Sequence, residues 1–285
     1  MKHILVIDDE KRRKGLLSAL NFWRRLTGAE VVFLSIIDES LIRDTTRTIG
    51  AIGKLSTAVS TEFVRQRRVE LEEMLWDMKI DIKVGTPIEE IKKYLDSFRP
   101  DLLILSHAIK TGVLNITDEI IGYCRGNSYL ITENSDNQKD FRNILLVLEQ
   151  LKVDSAVVHT TISLAGHFNG RVTAIRIIDL NDQMLINAPE MIEEGYTRIK
   201  EFFSKLTDYF YEKGIPVDTV IKEGDFTSVL GNFVASKGHD LIVIEGYSRT
   251  GLGRIIMGNE VTNIIKKANR PILIIKRPFD LSHKI

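Results

Sequence analysis

At 285 residues the chain is about twice the usual domain of roughly 100–150 residues, so two domains are the first expectation. A hydrophobic fraction of 44% excludes disorder. Basic and acidic side chains balance at 39 each, 21 against 22 in the first 140 residues and 18 against 17 in the rest. Neither part is therefore a basic nucleic-acid-binding domain.

The lone Cys124 excludes a disulfide framework within the chain and a multi-cysteine zinc site. No run approaches the roughly 20 apolar residues of a membrane span. The opening segment meets Asp8 and Asp9 too early for a signal peptide. The expectation is a cytoplasmic protein with no membrane partner.

In chain order, short continuous apolar runs alternate with helical stretches, the pattern of strands buried on both faces. The first such strands fall near 3–8, 30–37, 80–85, 101–106 and 129–133. Residues 61–79, with Phe63, Val64, Val69, Leu71, Leu75 and Trp76, read as an amphipathic helix covering the sheet. Pro87 opens a further helix through Ile88, Ile91 and Leu95. Six polar residues, Asn134 to Lys139, then read as a linker.

The second set of strands falls near 143–148, 171–178, 217–222, 240–245 and 271–276. It repeats the first. Ile4 to Asp9 returns as Ile144 to Glu149, Phe33 to Asp38 as Ala174 to Asp179, and Asp101 to Leu105 as Asp240 to Ile244. Ile82–Lys83–Val84–Gly85 returns as Ile221–Lys222–Glu223–Gly224. Landmarks in the same order at nearly constant offset make duplication the explanation. Strands alternating with helices imply right-handed crossovers and a parallel sheet in each copy.

Ligands of open parallel sheets bind beyond the carboxyl ends of the strands, where strand order reverses. That directs attention to Asp8, Asp9, Ser106 and His107 in the first copy, and to Glu149 and the loop from Glu245 in the second. An acid after a strand either caps the next helix or meets a ligand. Asp8 reads as a cap, while Asp9 and His107 are ligand candidates. Lys11–Arg12–Arg13–Lys14 reads as a solvated helix start. His159 and His167 read as surface residues of a helix. No nucleophile–base pair or Walker sequence is present, so no catalytic residue and no metal site are assigned.

The run Gly246–Tyr247–Ser248–Arg249–Thr250–Gly251–Leu252–Gly253–Arg254–Ile255–Ile256–Met257–Gly258–Asn259, followed by the strand opened by Pro271, resembles the phosphate loop of the universal stress protein family. The order of elements extends that resemblance over nearly the whole chain as a tandem pair. It implies two flavodoxin-like or Rossmann-like α/β domains, 1–135 and 141–280, each with a five-stranded parallel sheet of order 3-2-1-4-5. It also implies an internal pseudo-dimer joined through the fifth strands, with homodimerisation as a further expectation.

In nucleotide-binding members the loop runs Gly, two residues, Gly, nine residues, Gly, then Ser or Thr, and an aspartate after strand one holds the adenosine. Here Glu245 and Ser248 stand at the first two glycine positions and Asn259 at the last; Gly258 is retained and Glu149 replaces the aspartate. The first copy keeps its acid as Asp9 but has a shorter loop. The resemblance thus yields ligand-binding candidates Asp9, Ser106, His107, Glu149, Ser248, Arg249, Gly258 and Asn259. It implies a non-enzymatic stress-response sensor or binding module with degenerate nucleotide sites. The rival is an ATP- or AMP-binding switch with weak hydrolysis, with magnesium in the second domain, in which nucleotide controls dimerisation. Ile4 to Glu10 also resembles the opening of a two-component receiver domain, but the third strand ends at Val84–Gly85 without the acceptor aspartate.

Overall fold

The computed structural model describes residues 1–48, 54–75, 77–107, 109–111, 114–132, 140–178, 189–246, 267, 269–279 and 281. Its first-half strands are β1 (His3–Ile7), β2 (Glu30–Asp38), β3 (Lys79–Gly85), β4 (Leu102–Ser106) and β7 (Asn127–Ile131). A short ladder of β5 (Lys110–Thr111) and β6 (Leu114–Asn115) lies between the last two. The second half supplies β8 (Asn143–Val147), β9 (Arg171–Ile178), β10 (Val217–Glu223), β11 (Leu241–Glu245) and β12 (Ile272–Ile275).

All but β5 and β6 join one ten-stranded sheet, β10-β9-β8-β11-β12-β7-β4-β1-β2-β3. Each half runs 3-2-1-4-5, as the family resemblance implies, and every pairing of these strands within a half is parallel, as the alternation of elements predicts. The join is antiparallel, with Ile272 opposite Leu130 and Ile274 opposite Ser128. Pro271 therefore leads into an interior strand of the combined sheet.

Alternation along each central strand feeds two apolar layers. Ile4, Val6, Leu102, Ile104, Ile144 and Leu146 face one side, and Leu5, Ile7, Leu103, Leu105, Leu145 and Val147 the other. Helices α1 (Arg13–Thr27), α3 (Lys54–Met74), α6 (Ala156–Phe168) and α7 (Pro189–Glu212) contribute to the first layer. Helices α4 (Pro87–Phe98), α5 (Thr117–Tyr123) and α8 (Phe226–Lys237) contribute to the second. The outer strands β3 and β10 are partly exposed and carry Lys79, Asp81, Lys83, Asp218, Lys222 and Glu223, charges that discourage further strand addition.

Aromatic packing crosses the join. Phe22 of α1 meets Phe141 at 4.9 Å and Phe168 of α6 at 5.8 Å, and Trp23 meets Phe279 at 5.9 Å. Asn127 adds polar pins, its Oδ1 accepting from the backbone N–H groups of Lys276 and Arg277. The Lys276 ammonium donates to the carbonyls of Ile121 and Cys124 at the end of α5.

The long helix differs from its expected span. It covers Lys54–Met74, and Lys79 already belongs to β3. Leu71 and Leu75 are buried as expected, while Val69 is exposed. The alternation Lys79–Ile80–Asp81–Ile82 imposes the strand period of two, which ends the helical reading. Trp76 and residues 134–139 lie outside the described residues. His159 and His167 are exposed on α6, as expected. Among the described residues, no helix is long and apolar enough to cross a membrane.

Candidate functional site

The two crevices lie at the carboxyl ends of β1 and β4, and of β8 and β11. In the first, Asp9 ends an extended approach and caps the 3-10 turn Glu10–Arg12, its Oδ1 accepting from the Lys11 N–H at 3.2 Å. Its Oδ2 accepts a 2.5 Å hydrogen bond from the Ser106 hydroxyl and lies 3.4 Å from Arg12 Nη1. Asp9 and Ser106, at the carboxyl ends of the neighbouring parallel strands β1 and β4, are thus in direct contact. His107 follows in a buried turn, and its carbonyl accepts from Asn115 Nδ2.

Asp8 is not a helix cap. Its side chain is 2% exposed and forms the hub of an ion network. Arg13 donates to both carboxylate oxygens at 2.9 Å, a bidentate pairing that fixes orientation as well as charge. Ser35 from β2 and Arg67 from α3 donate to Oδ2 at 2.8 and 3.1 Å. Glu70 accepts from Arg13 at 2.5 Å, and Arg67 also pairs with Glu10. Burial disfavours the Arg13 charge, but Asp8 and Glu70 outweigh it and hold its pKa above the ordinary value. The basic run is therefore only partly a solvated helix start, because Arg13 is buried.

In the second crevice, sheet register makes Leu148, Glu149 and Arg176 the counterparts of Asp8, Asp9 and Ser35. Arg176 Nη1 donates to the carbonyls of Leu148 and Glu149 at 2.9 and 2.5 Å and lies 3.9 Å from the Glu149 carboxylate. Glu245 occupies the place of Ser106 at the end of the fourth strand. The next amide, Gly246, donates to the Ile275 carbonyl at 2.7 Å. A Cβ there would meet the Ile274 side chain at 2.5 Å. The candidates Ser248, Arg249, Gly258 and Asn259 lie outside the described residues.

The sequence reading passed over Ser35, Arg67, Glu70 and Arg176. Arg176 had a signal, being a charge inside the apolar run Ala174–Ile175–Arg176–Ile177. Arg67 and Glu70 had none, because only the tertiary approach of α3 brings them to Asp8. Among the described residues no group of three or more His, Cys, Asp or Glu side chains is disposed to hold a metal.

With this geometry in place, relatives sharpen the reading. Residues 140–276 match the model of the universal stress protein family. That segment is a universal stress protein domain. Universal stress protein MJ0531 of Methanocaldococcus jannaschii is 28% identical over 156 residues, 52% of this chain and 88% of that protein. A universal stress protein structure from Archaeoglobus fulgidus superposes with a TM-score of 0.67 at 13% identity, covering 97% of this chain and 96% of its own. The functionally unknown protein PA1789 of Pseudomonas aeruginosa gives 0.59 at 14% identity, over 99% of this chain and 95% of its own. The two superpositions extend the universal stress protein fold over both halves of the sheet.

Proposed function

We propose that the chain is a non-enzymatic stress-response binding module, built as an internal pseudo-dimer of domains 1–135 and 141–280, in which neither crevice favours ATP. The observation that carries this reading is the state of the first crevice. Its acid is already taken: Asp8 is buried under Arg13, Arg67 and Ser35, and Asp9 is committed to its cap and to Ser106.

The second crevice is open to a ligand in composition but has the wrong sign for phosphate. Glu245 ends β11 there and Glu149 lies two residues past β8, and the cation beside Glu149, Arg176, is spent on two carbonyls. A carboxylate about 4 Å from a phosphate costs roughly 1–4 kcal/mol as water is excluded, an affinity loss of about 5- to 1,000-fold. Ser248, Arg249, Gly258 and Asn259 retain hydrogen-bonding or small-residue character for a polar ligand. A role for this loop rests on the sequence resemblance alone.

Calorimetric titration of the purified chain with ATP and AMP, magnesium present, tests the proposal. The expected result is affinity weaker than micromolar for the wild type and at least fivefold tighter ATP binding for Glu245→Gly. Micromolar or tighter binding by the wild type would overturn the degenerate-site reading in favour of the nucleotide-controlled switch.

A further inference from the structure

At the amino ends of β4 and β7, opposite the first crevice and at the same end of the sheet as the second, a cavity of about 330 Å³ opens beside the join between the halves. At roughly 30 Å³ per liquid water it holds about ten waters, more than one tetrahedral anion needs. Three arginines from three separate segments line it: Arg99 after α4, Arg125 between α5 and β7, and Arg277 after β12. The site therefore spans both halves of the chain.

Most arginines among the described residues are ion-paired, although Arg25 and Arg171 bond only to a carbonyl and an amide oxygen. Arg13, Arg24, Arg67 and Arg142 each sit on a carboxylate. Among the described residues, none of the cavity's three arginines does. Arg99 donates from Nε to the Asp96 carbonyl, and Arg277 from Nη2 to the Pro100 carbonyl. The remaining N–H groups of both stay available. Arg125 makes no hydrogen bond or ion pair among the described residues.

The opposing charges are few. Asp96 lines the cavity, but its Oδ2 accepts a 2.6 Å hydrogen bond from Tyr123. Asp101 stands behind, engaged by the backbone N–H groups of Lys2 and His3. The carbonyl ends of α4 and α5 add about half a negative charge each, and the buried Lys276 ammonium already covers the end of α5. Three lining cations against the single lining carboxylate Asp96 leave an excess of two positive charges. The exposed Tyr123 ring supplies an apolar wall.

We propose that this cavity binds a small phosphate-bearing anion, held by Arg99, Arg125 and Arg277 across the join of the two halves. A planar guanidinium matches a phosphate face with two parallel N–H bonds, and three of them from separate elements surround one dianion. The cavity shares no lining residue with either crevice, so the proposal stands whether or not the chain binds nucleotides there.

The test uses the full chain, 15N-labelled, in a chloride buffer free of phosphate and sulfate at fixed ionic strength. Inorganic phosphate and glycerol 3-phosphate are titrated while the arginine Nε–Hε resonances are followed. The expected result is a saturable shift of the Arg99, Arg125 and Arg277 signals with at least one of the two anions. Arg125→Ala, which removes no internal bond, should weaken that binding about tenfold, the worth of one charge-assisted contact. Arg99→Ala/Arg125→Ala/Arg277→Ala should abolish it. Saturation by glycerol 3-phosphate alone would assign the substituted ester, and saturation by both the phosphate group itself. Absence of a saturable shift with either anion, or equal affinity in wild type and Arg125→Ala, would overturn the proposal.

Discussion

Asp8 shows how one residue decides whether a crevice is a pocket or a plug. Its carboxylate is buried with two arginines, and removing one partner of such a network leaves uncompensated charge that costs about 3–5 kcal/mol. Asp8→Asn should lower stability to urea by that amount, whereas Arg24→Ala, which breaks the exposed pair with Asp77, should cost about 1 kcal/mol or less. An Asp8→Asn loss below about 1 kcal/mol would mean that the network adds nothing. Tyr129 is the opposite case. Its hydroxyl is fully buried and has no hydrogen-bond partner among the described residues, and burial raises its pKa. Since an unsatisfied hydroxyl carries its whole desolvation cost, Tyr129→Phe should be neutral or stabilising by up to about 2 kcal/mol in the same denaturation assay. A clear loss would reveal a bound partner for that oxygen.

At the scale of elements, the strands were legible because each buried run announces itself. Ile144 to Val147 or Leu102 to Leu105 can only be satisfied between two helical layers, and the repeat at constant offset then orders them. The elements that were not legible lack such a run. The helix Glu39–Thr48 is polar over most of its length, and the Lys110–Thr111 and Leu114–Asn115 ladder has two residues a side. The site was half legible: Asp9 and Ser106 follow from strand ends, but the burial of Asp8 depends on an arginine from α3 that no local pattern marks. A smaller repeated device was also hidden. Asp101 accepts from the backbone N–H groups of Lys2 and His3, and Asp240 likewise from Arg142 and Asn143. In each half the start of strand four thereby pins the start of strand one. Burial opposes the Asp101 charge, yet these donors, with the N-terminal amine and Arg277, hold its pKa below the ordinary value. A depressed carboxylate contributes stability that is complete above its unfolded pKa and is lost as pH falls through the folded one. The difference in melting temperature between wild type and Asp101→Asn should therefore be full near neutrality and shrink below about pH 4. A difference that stays constant on acidification would assign the effect to something other than ionisation.

For the whole molecule, the join of β7 and β12 turns two similar halves into one sheet, and both apolar layers run through it. Phe22, Phe141 and Phe168 place first-half and second-half residues in one aromatic cluster. The Lys276 ammonium, buried at the end of α5, ties a residue following the last strand to the first half. Separating the halves would uncover two apolar strand edges and cut these layers, so neither half has a low-energy state in which the other is unfolded. Unfolding should accordingly be a single cooperative transition. The composition supplies a clean probe, because both tryptophans, Trp23 and Trp76, belong to the first half, while circular dichroism reports helices in both. Under urea, tryptophan fluorescence and far-ultraviolet circular dichroism should give the same midpoint. Leu273→Asp, placed opposite Tyr129 in the join, should break that coincidence by letting the halves unfold separately. Non-coincident curves in the wild type would show that the join carries too little energy to couple them.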